Sequence, residues 1–125
     1  MPDTGTDPEL SAVFEDLKTL LKPQLKSLDV VRDAPGDLSL NTKQLDHNGK
    51  PVFFSSVKIG KGKVSFHLFP IYCHPELLSD LSPELKKRMQ GKSCFNFKVR
   101  DPALFKELKS LVTAGAKAFR ASGRL

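Results

Sequence analysis

The stretch Val52-Phe53-Phe54-Ser55-Ser56-Val57-Lys58-Ile59-Gly60-Lys61-Gly62-Lys63-Val64-Ser65-Phe66-His67-Leu68-Phe69 decides the fold. Both halves are rich in β-branched and aromatic residues, and Gly60-Lys61-Gly62 between them reads as the connection of a hairpin. Val52 to Ile59 and Lys63 to Phe69 are therefore expected to pair as strands. In the second strand Val64, Phe66 and Leu68 point one way, while Ser65, His67 and Phe69 point the other. One apolar and one polar face are what an antiparallel sheet shows when only one side is covered.

Working outward, the next segments supply strands and the layer that covers them. Leu28 to Arg32 is short and β-branched, Ala34 to Asp37 is a turn, and Leu38 to Thr42 alternates like a half-buried strand. Asp46-His47-Asn48-Gly49-Lys50-Pro51 carries an Asn-Gly turn signal. On the other side, Pro70 and Pro75 bracket an irregular exit. Ser82-Pro83-Glu84 then opens a helix, with Leu85 and Met89 facing in and Gly91 placed to end it. Ser93 to Val99 alternates again, with Phe95, Phe97 and Val99 on one face and Cys94, Asn96 and Lys98 on the other.

Two amphipathic helices flank this region. Asp7-Pro8 and Asp101-Pro102 are matching start signals, a capping carboxylate followed by a proline preset for the first turn. The first helix presents Leu10, Val13, Phe14, Leu17, Leu20 and Leu21 before Pro23 interrupts it. The last presents Leu104, Phe105, Leu108, Leu111, Val112, Gly115 and Phe119. Two apolar stripes and one apolar sheet face imply a two-layer α+β sandwich, an antiparallel sheet of about five strands with both helices on one face. Residues 1 to 6 read as a flexible leader and residues 7 to 122 as one domain.

Composition is compatible with such a core. The chain has 125 residues, 39% of them apolar, with nine phenylalanines, one tyrosine and no tryptophan. A domain of this length buries roughly two-thirds of its unfolded surface. Two cysteines, Cys73 and Cys94, lie at no metal-ligand spacing. The N-terminus lacks the basic and apolar regions of a signal peptide, and no apolar run approaches the ~18 residues that span a bilayer. A cytoplasmic protein with free thiols and no membrane association is therefore expected.

Three segments also carry a family resemblance. They are Pro51-Val52-Phe53-Phe54 with Val64-Ser65-Phe66-His67-Leu68-Phe69-Pro70, then Gly91-Lys92-Ser93-Cys94-Phe95-Asn96-Phe97, then Pro102, Leu108 and Leu111. Together they resemble the YdhG-like family of small bacterial domains, most of them of unknown function, over Lys50 to Phe119. The resemblance implies the same hairpin, a Gly-led aromatic strand and a closing helix. The family's Gly-x-Pro turn before the hairpin is replaced here by Leu38-Ser39-Leu40-Asn41-Thr42-Lys43. One branch is associated with frataxin-like iron delivery, so iron handling is a further implication of the resemblance.

The residues rank the functions differently. Iron delivery would need an exposed carboxylate ridge. The outward side of the first helix instead mixes Glu15 and Asp16 with Lys18 and Lys22, and Asp29, Asp33 and Asp37 read as a charged turn region. His67, Cys73, His74 and Cys94 are a soft-ligand set without ligand spacing, and a Cys–His nucleophile would lack an orienting third group. The net charge of +6 favours acidic partners, with Lys86, Lys87 and Arg88 on one helix and Lys106, Lys109, Lys117, Arg120 and Arg124 on another. Without aromatic interleaving this supports only weak, non-specific nucleic-acid binding.

The remaining feature is the polar face of the sheet, where Asn41 and Lys43 join Ser65, His67, Cys94, Asn96 and Lys98. The expected function is a non-enzymatic binding domain without a cofactor. Its candidate ligand-binding residues are Ser65, His67, Cys94, Asn96 and Lys98, with Tyr72 and His74 from the loop that follows. A small or anionic ligand or a protein partner would sit there, and an exposed Phe53 or Phe69 would make the face amphipathic enough for a homodimer.

Overall fold

A computed structural model describes residues 8 to 125, so the expected leader and the Asp7 cap lie outside the described residues. The first helix, α1 (Pro8–Leu21), buries all six residues of its expected stripe. Pro23 then tightens the chain into a 3-10 turn, Lys22–Ser27, because a residue without an amide proton cannot extend the α-helical ladder.

Four strands follow as a meander: β1 (Leu28–Ala34), β2 (Asp37–Leu45), β3 (Pro51–Gly60) and β4 (Lys63–Leu68). Past β4 come a short helix α2 (Phe69–Cys73), a 3-10 turn at Pro75–Leu78 and a single-turn helix α3 (Pro83–Lys86). The chain returns through β5 (Met89–Gln90) and β6 (Cys94–Phe97) and ends in the long helix α4 (Pro102–Ala121). The six strands form one antiparallel sheet in the order β1-β2-β3-β4-β6-β5. Both long helices lie on one face, α1 against β3, β4 and α4, as the α+β sandwich reading requires.

The core is aromatic and aliphatic, as the composition demands. Phe54, Phe66, Phe95, Phe97 and Phe119 are fully or almost fully buried. Each contributes roughly 1.5–3 kcal/mol through removal of its ring from water. Phe97 meets Phe105 edge-on at 5.0 Å and Phe54 meets Phe119 at 6.1 Å, which joins the sheet to both ends of α4.

Several local expectations need correction. Ser82 does cap a helix, its Oγ accepting from the Leu85 amide at 3.2 Å, but α3 stops after four residues. Met89, expected on that helix, instead pairs with Phe95, and Gly91 belongs to the β5–β6 turn rather than a helix end. Its φ of +76° is the left-handed conformation that either role would use, so the glycine signal could not distinguish them. Strand pairing prevailed because Met89 and Gln90 complete the ladder at the open edge of β6. Val99 lies beyond the end of β6 and is 53% exposed. Phe69 opens α2 rather than ending the strand, and the segment bracketed by Pro70 and Pro75 is helical.

A β-bulge in β3 matters most for the site. Leu40 pairs with Ser55 and the next residue, Asn41, with Phe53, so Phe54 is an extra residue in the ladder. Phe54 and Ser55 are consequently both buried, and Phe53 is returned to the uncovered face.

Candidate functional site

The open face of β3, β4, β5 and β6 is built by cross-strand pairing. Ser65 stands opposite Asn96, and His67 opposite Cys94, so four of the expected residues share one surface. The Ser65 hydroxyl donates to Asn96 Oδ1 at 2.9 Å, and Asn96 Nδ2 donates to Gln90 Oε1 at 2.7 Å. Lys63 Nζ reaches the same Gln90 oxygen at 3.4 Å. These bonds tie β4, β6 and the two-residue β5 into one rigid patch.

His67 is fixed from two sides. Its Nε2 lies 2.7 Å from Ser93 Oγ, and its ring meets Phe53 edge-on with centroids 5.1 Å apart. Partial burial lowers its pKa below the ordinary 6.5, so the ring is neutral at neutral pH. Burial raises the Cys94 thiol, against the opposing pull of Lys63 and the Phe95 amide, so it is not an activated nucleophile. Burial likewise raises Cys73, with Arg124 opposing. Both thiols are free.

Of the other three expected residues, Lys98 borders this face and two fall elsewhere. Lys98 is exposed just past the end of β6. Tyr72 stacks on Phe69 at 5.6 Å and faces a neighbouring cavity. His74 packs against Phe119 of α4, its Nδ1 3.5 Å from Glu76 and its buried Nε2 without a partner among the described residues. The soft-ligand set is therefore dispersed. Among the described residues no group of three or more His, Cys, Asp or Glu side chains is placed to hold a metal ion.

Four of the five carboxylates considered for an iron ridge are also engaged. Asp16 takes a two-pronged contact from Arg100 at 2.7 and 3.0 Å, Asp33 is paired with Lys18, Asp29 with Lys43 and Asp37 with Arg32.

Sequence reading missed Ser93 and Gln90 and left the placement of Phe53 open. By alternation Ser93 shares the phase of Phe95 and Phe97, away from the polar face, and Gln90 belongs to a strand too short to show alternation. A compositional signal was present: neither His47 to Pro75 nor Leu85 to Arg100 contains an Asp or Glu. Strands β3 to β6 thus present no carboxylate, and Asp37 on the neighbouring β2 stands opposite Lys58. Among the described residues no helix is long and apolar enough to cross a membrane. No family model matches this chain, and no curated protein or solved structure gives a significant match to it.

Proposed function

We propose that the domain is a non-enzymatic binding module that holds a small anionic ligand on the open face of β4 and β6. The observation that carries this reading is a polar patch without a carboxylate, in which both side-chain amide oxygens already accept bonds and N–H donors remain. Asn96 Oδ1 and Gln90 Oε1 accept bonds from within the patch. Lys63 and Lys98 bring ammonium protons to its rim, and Lys58 lies opposite Ser65. A group rich in acceptors and negative charge is the complement of such a surface. Ser65, His67, Cys94 and Asn96 form its floor, and Phe53 gives it an apolar border.

The YdhG-like resemblance agrees with this reading, since it rests on the same hairpin and on the strand containing Cys94 and Asn96. The frataxin-like alternative finds less support, because Asp16, Asp29, Asp33 and Asp37 are each paired with a cation. Weak nucleic-acid binding would draw on the exposed lysines of α4, in the opposite layer. We take the compartment to be the cytoplasm, which the free thiols support.

Titration of the isotopically labelled chain with inorganic pyrophosphate at low salt tests the proposal. Amide shifts should concentrate at Lys63, His67, Asn96 and Lys98. A Lys63→Ala/Lys98→Ala variant should bind about tenfold more weakly, as the loss of ~1.5 kcal/mol of charge-assisted bonding implies. Shifts spread over the lysines of α4, or no saturable binding, would overturn it. Sedimentation of the free chain reads the competing use of Phe53 and the open face by a second copy.

A further inference from the structure

Beyond the sheet-face patch, α2, the turn Pro75–Leu78 and the β5–β6 hairpin border a separate, open cleft of about 590 Å³. This volume is within the range of small-molecule sites, roughly 300–1,000 Å³. Its walls are Ile71, Tyr72, Pro75, Leu78 and Met89, and Lys92 completes the lining from the hairpin turn. Ile71 is fully buried and gives the cavity an apolar wall continuous with the core.

Tyr72 is the informative residue. It is 54% exposed, yet it is not a loose surface side chain, because its ring stacks on Phe69 at 5.6 Å and 11° between planes. Phe69 is in turn held by Phe53 and Phe119, so the aromatic wall is oriented from behind. A preset aromatic face, a polarisable Met89 and a branched Leu78 suit a flat or aliphatic apolar body.

Charge narrows the class. Lys92 is the sole ionisable amine of the lining, no lining residue is acidic, and Lys92 makes no ion pair among the described residues. Lys92 is exposed, so a neutral apolar compound would leave that ammonium in water and gain nothing from it, while a polyanion would find one cation and an apolar wall. We propose that this cavity binds a small monocarboxylate, its apolar body against Tyr72, Leu78 and Met89 and its carboxylate at Lys92. This site is independent of the anion site on the sheet, and either can fail alone.

The test is a fluorescence titration of the full chain with 8-anilinonaphthalene-1-sulfonate, with octanoate as competitor and octan-1-ol as its neutral counterpart. The dye should bind saturably, one per chain, and octanoate should displace it. Lys92→Ala should weaken octanoate about tenfold while leaving octan-1-ol unchanged, and Tyr72→Ala should weaken both. Tyr72 is more than half exposed, so far-ultraviolet dichroism of that variant should match the parent. Shifts of the Met89 methyl group on adding octanoate give a second readout in the unmodified chain. Absence of saturable dye binding, equal octanoate affinity in Lys92→Ala, or an unmoved Met89 methyl would overturn the proposal.

Discussion

The Oγ of Ser93 lies 2.7 Å from Nε2 of His67, so a residue of the turn before β6 fixes the imidazole on the open side of β4. Ser93 is only 7% exposed, and the backbone reinforces the tie, since the Leu68 amide donates to the Ser93 carbonyl at 2.9 Å. The pair resembles a nucleophile with its base, but no third group orients Nδ1 among the described residues, and the hydroxyl is withdrawn from solvent. Its work is to hold the ring.

Ser93→Ala should therefore destabilise the chain by about 1 kcal/mol, the usual net worth of one hydrogen bond. It should also broaden the His67 ring resonances as the imidazole gains freedom. Urea denaturation and proton spectra check the two effects, and a variant with parent stability and an unchanged His67 signal would count against the tie.

His67 should titrate below the ordinary value near 6.5, because burial penalises its charged form. The sign for stability follows. Above 6.5 the ring is neutral in both states and the contribution is fully present; as pH falls, the unfolded chain takes up the proton first, and stability declines down to the folded pKa. His67→Gln should flatten this part of the stability profile as pH falls below 6.5. The shift of the His67 ring proton with pH reads the pKa directly.

Gly115 lies where α4 meets α2, and a Cβ added there would sit 2.9 Å from Cβ of Pro70. Alanine favours a helix over glycine by about 1 kcal/mol, but overpacking costs about 1–3 kcal/mol. Both backbones are fixed, so the clash should win, and thermal unfolding of Gly115→Ala should occur below the parent. A rise in Tm would show that α2 can move aside.

Ser82 caps α3 and also ties it to α4. Its Oγ and amide both donate to Glu107, at 2.6 and 2.7 Å, while Oγ accepts from Leu85. Ser82→Ala should cost about 1–2 kcal/mol, the upper part of the range for a lost cap. Glu107→Gln should cost less than Ser82→Ala, because an amide keeps an acceptor but loses the charge. Equal stability of Ser82→Ala and the parent would show that the anchor is not used in solution.

How much of this was legible in the sequence varied with the range of the interaction. Both helix stripes and the alternation of β2, β4 and β6 were readable, because periodicity is written in adjacent residues and each stripe is buried as expected. So were the Ser82 and Asp101 caps, local contacts in which the side chain accepts from an amide three residues on. The pairing of Ser65 with Asn96 and of His67 with Cys94 needed the strand register, which no local pattern contains.

Tertiary structure alone decided the rest. The bulge at Phe54 arises between two strands, and it turns Phe53 toward His67 while Phe54 enters the core against Phe119. Gln90 became a strand residue because β6 offered an unpaired edge, and Ser93 met His67 because that pairing brought the turn alongside β4. His74 turned to Phe119 and Tyr72 to Phe69, which separates both from the sheet face they were expected to join. The sequence by itself determined which residues are apolar and at what period, and therefore the two layers. Which polar residues meet depended on register and packing, because those contacts span tens of residues and are selected only when the whole core closes.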